Sequence, residues 1–319
     1  MMAAMKSVPD LIDRLPTVRG SLQANAPLAK YVWFRTGGPA DILFQPESAD
    51  DLADFLRGKP SGVPVTILGT GSNVLIRDGG ISGVVIRLGK AFSQITVDGE
   101  HVHVGGGALD ANVAKAARVS GLDGLSFLYG IPGTIGGSVR MNAGAYGSEI
   151  KDVLVSADVV DGQGQHQTFT RDDLGLSYRH STLPSDAIVV SAMLQGSPGD
   201  RARIAARMDD IQEAREATQP IRTRTGGSTF KNPDGYKAWE LVDAAGCRGL
   251  QMGAAQVSEK HTNFLVNTGG ASARDIEALG EEVRRRVKAH SGVTLEWEIR
   301  RIGNPAEPSV CPTDPEDTP

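Results

Sequence analysis

The sequence is poor in cysteine: Cys247 and Cys311 are the only two in 319 residues. Two widely spaced thiols make neither a disulfide framework nor a zinc site, and free thiols suit a reducing compartment. Long apolar runs are missing too; none approaches the roughly 20 residues that span a membrane. The first sixteen residues place Pro9, Asp10 and Asp13 where a secretory leader needs a continuous apolar core, so no such leader is expected. Nor is there an excess of positive charge. Lys and Arg number 33 against 38 Asp and Glu, a net charge of −5, which argues against nucleic acid or an anionic membrane as partner. Together these absences predict a cytoplasmic protein.

What the chain has in excess is glycine, 39 residues gathered mostly in short clusters. They follow no fixed period, which excludes collagen-like and solenoid chains. Glycine clusters between apolar runs mark tight loops where backbone can approach a ligand.

The pattern predicts a short helix over 10–15, a linker to about residue 30, and a strand from Tyr31 to Phe34 that runs into a turn. A helix is expected over 48–57, with Ser48 and Asp51 as a capping box. Strands follow over 63–68 and 83–88, then a hairpin over 95–105 that turns at Asp98-Gly99. A helix over 110–120 has Asp110 as its cap, and strands return over 152–161 and 187–194. Past Gly196 the texture changes to charged helices over 200–218 and 273–290. Val293 to Ile302 then reads as an alternating strand. Interleaved hairpins, rather than βαβ units, give an α+β class and not a doubly wound sheet.

Two glycine loops stand out. Gly69-Thr70-Gly71-Ser72-Asn73 follows a strand and offers backbone N–H groups and side-chain donors to an anion. A strand-like stretch follows it, so it is not the dinucleotide fingerprint, and a structural turn explains it equally well. The second runs from Tyr129 to Gly147 and is almost wholly small residues, with Ile131, Pro132, Ile135 and Val139 as apolar anchors. It suits backbone lying against a flat ring and a pyrophosphate.

Gly69–Leu75 together with Pro132-Gly133-Thr134-Ile135-Gly136-Gly137-Ser138 resembles the FAD-binding fold of the vanillyl-alcohol-oxidase-type (PCMH-like) flavoproteins. Met141-Asn142-Ala143-Gly144-Ala145-Tyr146-Gly147 narrows the resemblance to the UDP-N-acetylenolpyruvoylglucosamine reductases. Matches continue in order through Arg35–Asp41, Ser177–Ser181, Gly226–Pro233, Ala255–Phe264 and Leu295–Gly303. The segment between Tyr178 and Asp200 is short, which resembles the second, shorter subtype of that family. The implied organisation is a leader over 1–29, an FAD-binding domain over 30–198 in two lobes (about 30–96 and 97–198), a C-terminal α+β substrate-binding domain over 199–304, and a disordered tail over 305–319.

The resemblance implies reduction of UDP-N-acetylglucosamine enolpyruvate, with NADPH as hydride donor and FAD as carrier. Neither histidine nor cysteine lies in the first glycine loop, so FAD is expected to be non-covalent. Gly69, Thr70, Gly71, Ser72, Asn73, Gly133, Gly136, Gly137, Ser138, Asn142 and Gly144 are the implied cofactor contacts. The family's proton donor falls on Ser228, although local chemistry alone makes it a turn serine. Arg179 can grip a carboxylate with two parallel hydrogen bonds. The catalytic carboxyl matches Glu298, with Glu296 as fallback because the predicted strand projects both to one face. Lys231, Asn232, Gln256 and Asn263 are the implied substrate contacts. Lys260 and His261 are further candidates, equally readable as solvated and as packed. A monomer is expected. No metal is: His101 and His103 share a strand face but have no third ligand nearby in sequence. The competing readings are a flavin oxidase of a hydroxy acid or sugar, and a flavin-binding module without catalysis.

Overall fold

The computed structural model describes residues 11–306. Most of the tail expected to be disordered, the first residue of the expected leading helix, and Cys311 lie outside that range.

The first lobe holds β1 (Ser21–Pro27), β2 (Pro39–Gln45), α1 (Ala49–Gly58), β3 (Val65–Ile67), β4 (Val74–Ile76) and β5 (Ile81–Ile86). Its sheet runs β1-β2-β5-β3, with β1 antiparallel to β2 and the other neighbours parallel. β1 lies where a linker was expected. Of its residues only Ala26 is buried, so it joins the sheet edge through backbone and carries no apolar alternation. The strand expected over 31–34 is not there. Val32 is buried in the first lobe while Phe34 joins the C-terminal core, so this stretch crosses between cores and the strand falls after it, in β2.

α1 begins as predicted, the Asp51 N–H donating to Ser48 Oγ over 3.1 Å. The Asp51 carboxylate does not return to the cap. It accepts from the N–H groups of Arg19, Gly20 and Glu47 and so fastens the chain that leads into β1. Burial works against its charge, but those three donors outweigh it and hold the carboxyl below its usual range.

The second lobe holds β6 (Ile95–Asp98), β7 (His101–Gly105), α2 (Asp110–Ser120), α3 (Ile135–Arg140), β8 (Leu154–Val160), β9 (His166–Thr170) and β10 (Ile188–Gln195). Its five strands are antiparallel in the order β9-β8-β10-β7-β6. The β6–β7 hairpin turns at Gly99-Glu100, one residue later than expected, because Asp98 pairs with His101. α2 and α3 pack their Val113, Ala117, Ile135 and Val139 on this sheet.

The remainder comprises α4 (Arg201–Thr218), β11 (Arg224–Thr225), α5 (Ala238–Ala244), β12 (Gln251–Met252), β13 (Ala255–Val257), β14 (Leu265–Asn267), α6 (Ala273–Ser291) and β15 (Arg300–Ile302). The antiparallel sheet β11-β14-β13-β12 is covered by α6, whose Ile276, Leu279, Val283 and Val287 are fully buried. α4 faces elsewhere: its Ile204 and Met208 belong to the core of the second lobe.

The alternating strand expected from Val293 is strand only at β15, which pairs in parallel with β4 of the first lobe. Before it, Trp297 bridges to Phe230, and the N–H groups of Glu298 and Arg300 go to the carbonyls of Thr229 and Asn73. The segment passes from one domain to another, so it cannot keep a single ladder. Further ties fix the first lobe to the C-terminal domain. Arg77 makes a two-pronged pair with Glu277, and the Asp78 carboxylate accepts the first N–H groups of α6. No helix among the described residues is long and apolar enough to cross a membrane.

Candidate active site

The two glycine loops meet. Thr70 Oγ1 donates to the Pro132 carbonyl over 3.2 Å, and the Trp33 N–H donates to the Gly71 carbonyl. Most of the glycines have a reason inside the protein. A β-carbon at Gly71 would lie 2.6 Å from the Tyr31 carbonyl, and one at Gly136 would lie 3.0 Å from that of Gly106. One at Gly144 would lie 2.7 Å from the Glu149 side chain.

Gly69 and Gly137 differ. Apart from their chain neighbours and, for Gly137, the backbone of its own helix, what a β-carbon would meet within 4 Å is Thr134 Oγ1, at 3.1 and 3.8 Å. These two glycines leave bare backbone on either side of the Thr134 hydroxyl. Bare backbone beside a neutral hydroxyl fits a flat ring carrying a diphosphate. Sequence reading quoted Thr134 without singling it out; its role depends on the two loops meeting.

The reactive side chains gather on three further segments. Tyr178 and Arg179 form the tip of a tight turn closed by reciprocal Ser177–His180 backbone bonds. Arg179 sits at φ +56°, and its Nε donates to Glu298 Oε1 over 2.8 Å. Both side chains are largely buried, 25% and 13% exposed. Burial pushes the Glu298 carboxyl above its usual range, and the charge and hydrogen bond of Arg179 pull back without cancelling it.

Glu296 does not share that setting. Its side chain is 74% exposed and pairs with Lys231 at 3.3 Å. The irregular path of 293–299 breaks the common face that an alternating strand would have given it with Glu298.

Ser228 lies on the Gly226–Pro233 segment, held on both sides. The Thr229 N–H donates to the Asn263 carbonyl, and the Thr229 carbonyl accepts the Glu298 N–H over 2.8 Å. This places the serine one residue from the backbone of the Glu298 segment. Gly227, at φ +77°, brings the turn against the first glycine loop: its β-carbon position is 3.7 Å from the Ser72 carbonyl.

Several predicted contacts are engaged with the protein itself. Asn263 grips the Phe230 backbone twice, accepting from its N–H at 2.9 Å and donating to its carbonyl at 2.8 Å, and is buried. Asn142 is equally enclosed. Its amide donates to Glu149 and to the Ser177 carbonyl, and its oxygen accepts the Lys151 N–H. These bonds make both asparagines supports of the Ser228 and Arg179 segments. Asn232 Oδ1 accepts the Ala238 N–H at the start of α5, and Asn73 Nδ2 donates to the Glu298 carbonyl. Ser138 Oγ donates to a buried Asp110. Gln256 sits half-buried on β13. His261 is packed between Trp239 and Phe264, and Lys260 Nζ donates to the Glu216 carbonyl.

The FAD binding domain family matches residues 40–170. The family described as UDP-N-acetylenolpyruvoylglucosamine reductase, C-terminal domain, matches residues 219–302. The chain is 61% identical over 302 residues to the UDP-N-acetylenolpyruvoylglucosamine reductase of Parvibaculum lavamentivorans, covering 95% of this chain and 97% of that protein. It is 59% identical over 299 residues to that of Azorhizobium caulinodans, covering 94% and 97%. The crystal structure of UDP-N-acetylenolpyruvylglucosamine reductase from Thermus caldophilus superposes with a TM-score of 0.77 at 35% identity, covering 89% of this chain and 99% of that one.

Proposed function

The chain belongs to the UDP-N-acetylenolpyruvoylglucosamine reductases, and on that premise we propose that it reduces the enolpyruvyl ether of UDP-N-acetylglucosamine enolpyruvate to UDP-N-acetylmuramate with NADPH. It is an FAD-dependent oxidoreductase of peptidoglycan precursor synthesis. The bare backbone around Gly69 and Gly137 would hold FAD non-covalently, and bound FAD supplies the two-electron chemistry between NADPH and the vinyl carbon.

The observation that carries the reading is the Arg179–Glu298 pair, buried beside the backbone that bears Ser228. Reduction of a vinyl ether conjugated to a carboxylate delivers hydride to the terminal carbon. Negative charge then develops at the adjacent carbon and spreads into the carboxylate. Arg179 remains charged and holds that carboxylate. Glu298 is already raised by burial, and it takes a proton readily when a second carboxylate arrives. It then donates a hydrogen bond to the enolate. Ser228, a weak acid, protonates only a strongly basic centre, which the carbanion is. Lys231, Asn232, Gln256 and Asn263 suit the polar groups of the UDP-sugar, and Asn142 the cofactor.

Substrate-dependent NADPH oxidation by the yellow holoprotein tests this. Its absence in folded holoprotein overturns the reading.

A further inference from the structure

Asp110 is completely buried and has no part in the reaction proposed above. Sequence reading makes it the cap of α2, but the capping position is Leu109, which makes no side-chain cap. The Asp110 carboxyl instead crosses to the second glycine loop. Ser138 Oγ donates to Oδ2 over 2.7 Å. The Asp110 N–H donates to the Gly133 carbonyl, and a β-carbon on Gly133 would lie 2.7 Å from the same Oδ2. Oδ1 is buried with no hydrogen-bond partner among the described residues.

Backbone bonds from Ile135 to Ala108 and from Gly136 to Gly106 stitch the loop to the start of α2 around this contact. A buried carboxyl with one oxygen unpaired is costly to fold. Burial pushes its pKa up to about 7, although the Ser138 hydroxyl and the Gly133 amide pull it down. An apolar side chain of similar size would serve the core better, so packing does not account for an aspartate here. What the carboxyl does hold is Ser138 and Gly133, which flank Thr134 and Gly137.

We propose that Asp110 is a positioning residue for the flavin, holding Ser138 and Gly133 so that the loop from Gly133 to Gly137 keeps the shape that accepts the FAD diphosphate. This rests on the reading that the loop binds FAD.

The test strips FAD from purified holoenzyme, measures the FAD dissociation constant by flavin fluorescence quenching, and records the thermal midpoint of each apoprotein. Asp110→Leu is expected to weaken FAD binding about tenfold or more while the apo midpoint changes little, because loss of the unpaired Oδ1 offsets the Ser138 hydroxyl left without its acceptor. Asp110→Asn retains an acceptor for Ser138 and is expected within about threefold of wild type. An Asp110→Leu affinity within twofold of wild type overturns the proposal. So does a parallel loss of affinity and apo stability in both variants, which marks a purely structural residue. Should the leucine variant not fold, Asp110→Ala is read by the same affinity criterion.

Gly137→Ala separates the two failures, since its added methyl meets only Thr134 Oγ1 at 3.8 Å. If Gly137→Ala binds FAD like wild type, the loop does not hold FAD. If it weakens binding while Asp110→Leu does not, only the proposal for Asp110 fails.

Discussion

Arg179→Gln removes a charge that faces a buried carboxylate at 2.8 Å while keeping much of the side chain's volume. Glu298, 13% exposed, would lose both the charge and the hydrogen bond that restrain its pKa, and burial alone would set it. Its carboxyl would then move further above its usual range. Taking a proton at pH 7 against an ordinary carboxyl value near 4.5 costs at most about 3 kcal/mol, with about 1–3 kcal/mol expected after relaxation.

The sign follows from proton counting. With the folded pKa raised, the unfolded chain holds fewer protons than the folded one between the two values. Stability of the variant therefore falls as pH rises through that window, and its deficit against wild type widens from mildly acidic to neutral pH. Thermal melts of the two proteins across that range measure it. Substrate binding responds more strongly. Loss of a charged, two-point carboxylate contact removes about 3 kcal/mol or more, so kcat/KM is expected to fall roughly 10²-fold or further. NADPH-dependent flavin reduction should change little. A pH-independent stability difference, together with a kcat/KM within threefold of wild type, would refute both the burial argument and the role of Arg179.

Other consequences are open to similar checks. Asn263→Ala frees two buried backbone groups of Phe230 and should cost about 2–4 kcal/mol in denaturant melts, with a fall in kcat because Ser228 loses its anchor. Glu298→Gln should lower kcat about 10²-fold or more, whereas Glu296→Gln, which touches only exposed Lys231, should leave it within about threefold. Asp110 carries a proton in the folded state up to about pH 7 against an ordinary value of 3.8. Its contribution therefore worsens from pH 4 to 7, by at most about 4 kcal/mol, and apo Asp110→Asn should gain on wild type in melts run at pH 5 and then pH 8.

Elements with a strong local signature were legible in the chain. The Ser48-capped helix, the 95–105 hairpin (its turn one residue later than expected) and the apolar stripe of Ile276, Leu279, Val283 and Val287 each carry their own pattern. β1 did not, because an edge strand bonded only through backbone needs no alternation. The 293–299 segment misled in the opposite direction. Its alternation is real in sequence, but its backbone partners lie in two domains, at Thr229 and Asn73. The site divided the same way. Arg179 and Glu298 are 119 positions apart, and no local pattern predicts that they pair. Asn142 and Asn263 sit in the right motifs, yet their amide groups bond inward; only three-dimensional neighbours reveal that. Glu298 and Glu296 likewise differ in burial, which an alternating string of letters does not encode.

The most direct test concerns Ser228 as proton donor. In a stopped-flow comparison, Ser228→Ala holoenzyme should let NADPH reduce the flavin at close to the wild-type rate. Reoxidation of that flavin by UDP-N-acetylglucosamine enolpyruvate should be slowed by about 10²–10⁴-fold, the range expected when a positioned acid is lost. Equal rates in both half-reactions would contradict it.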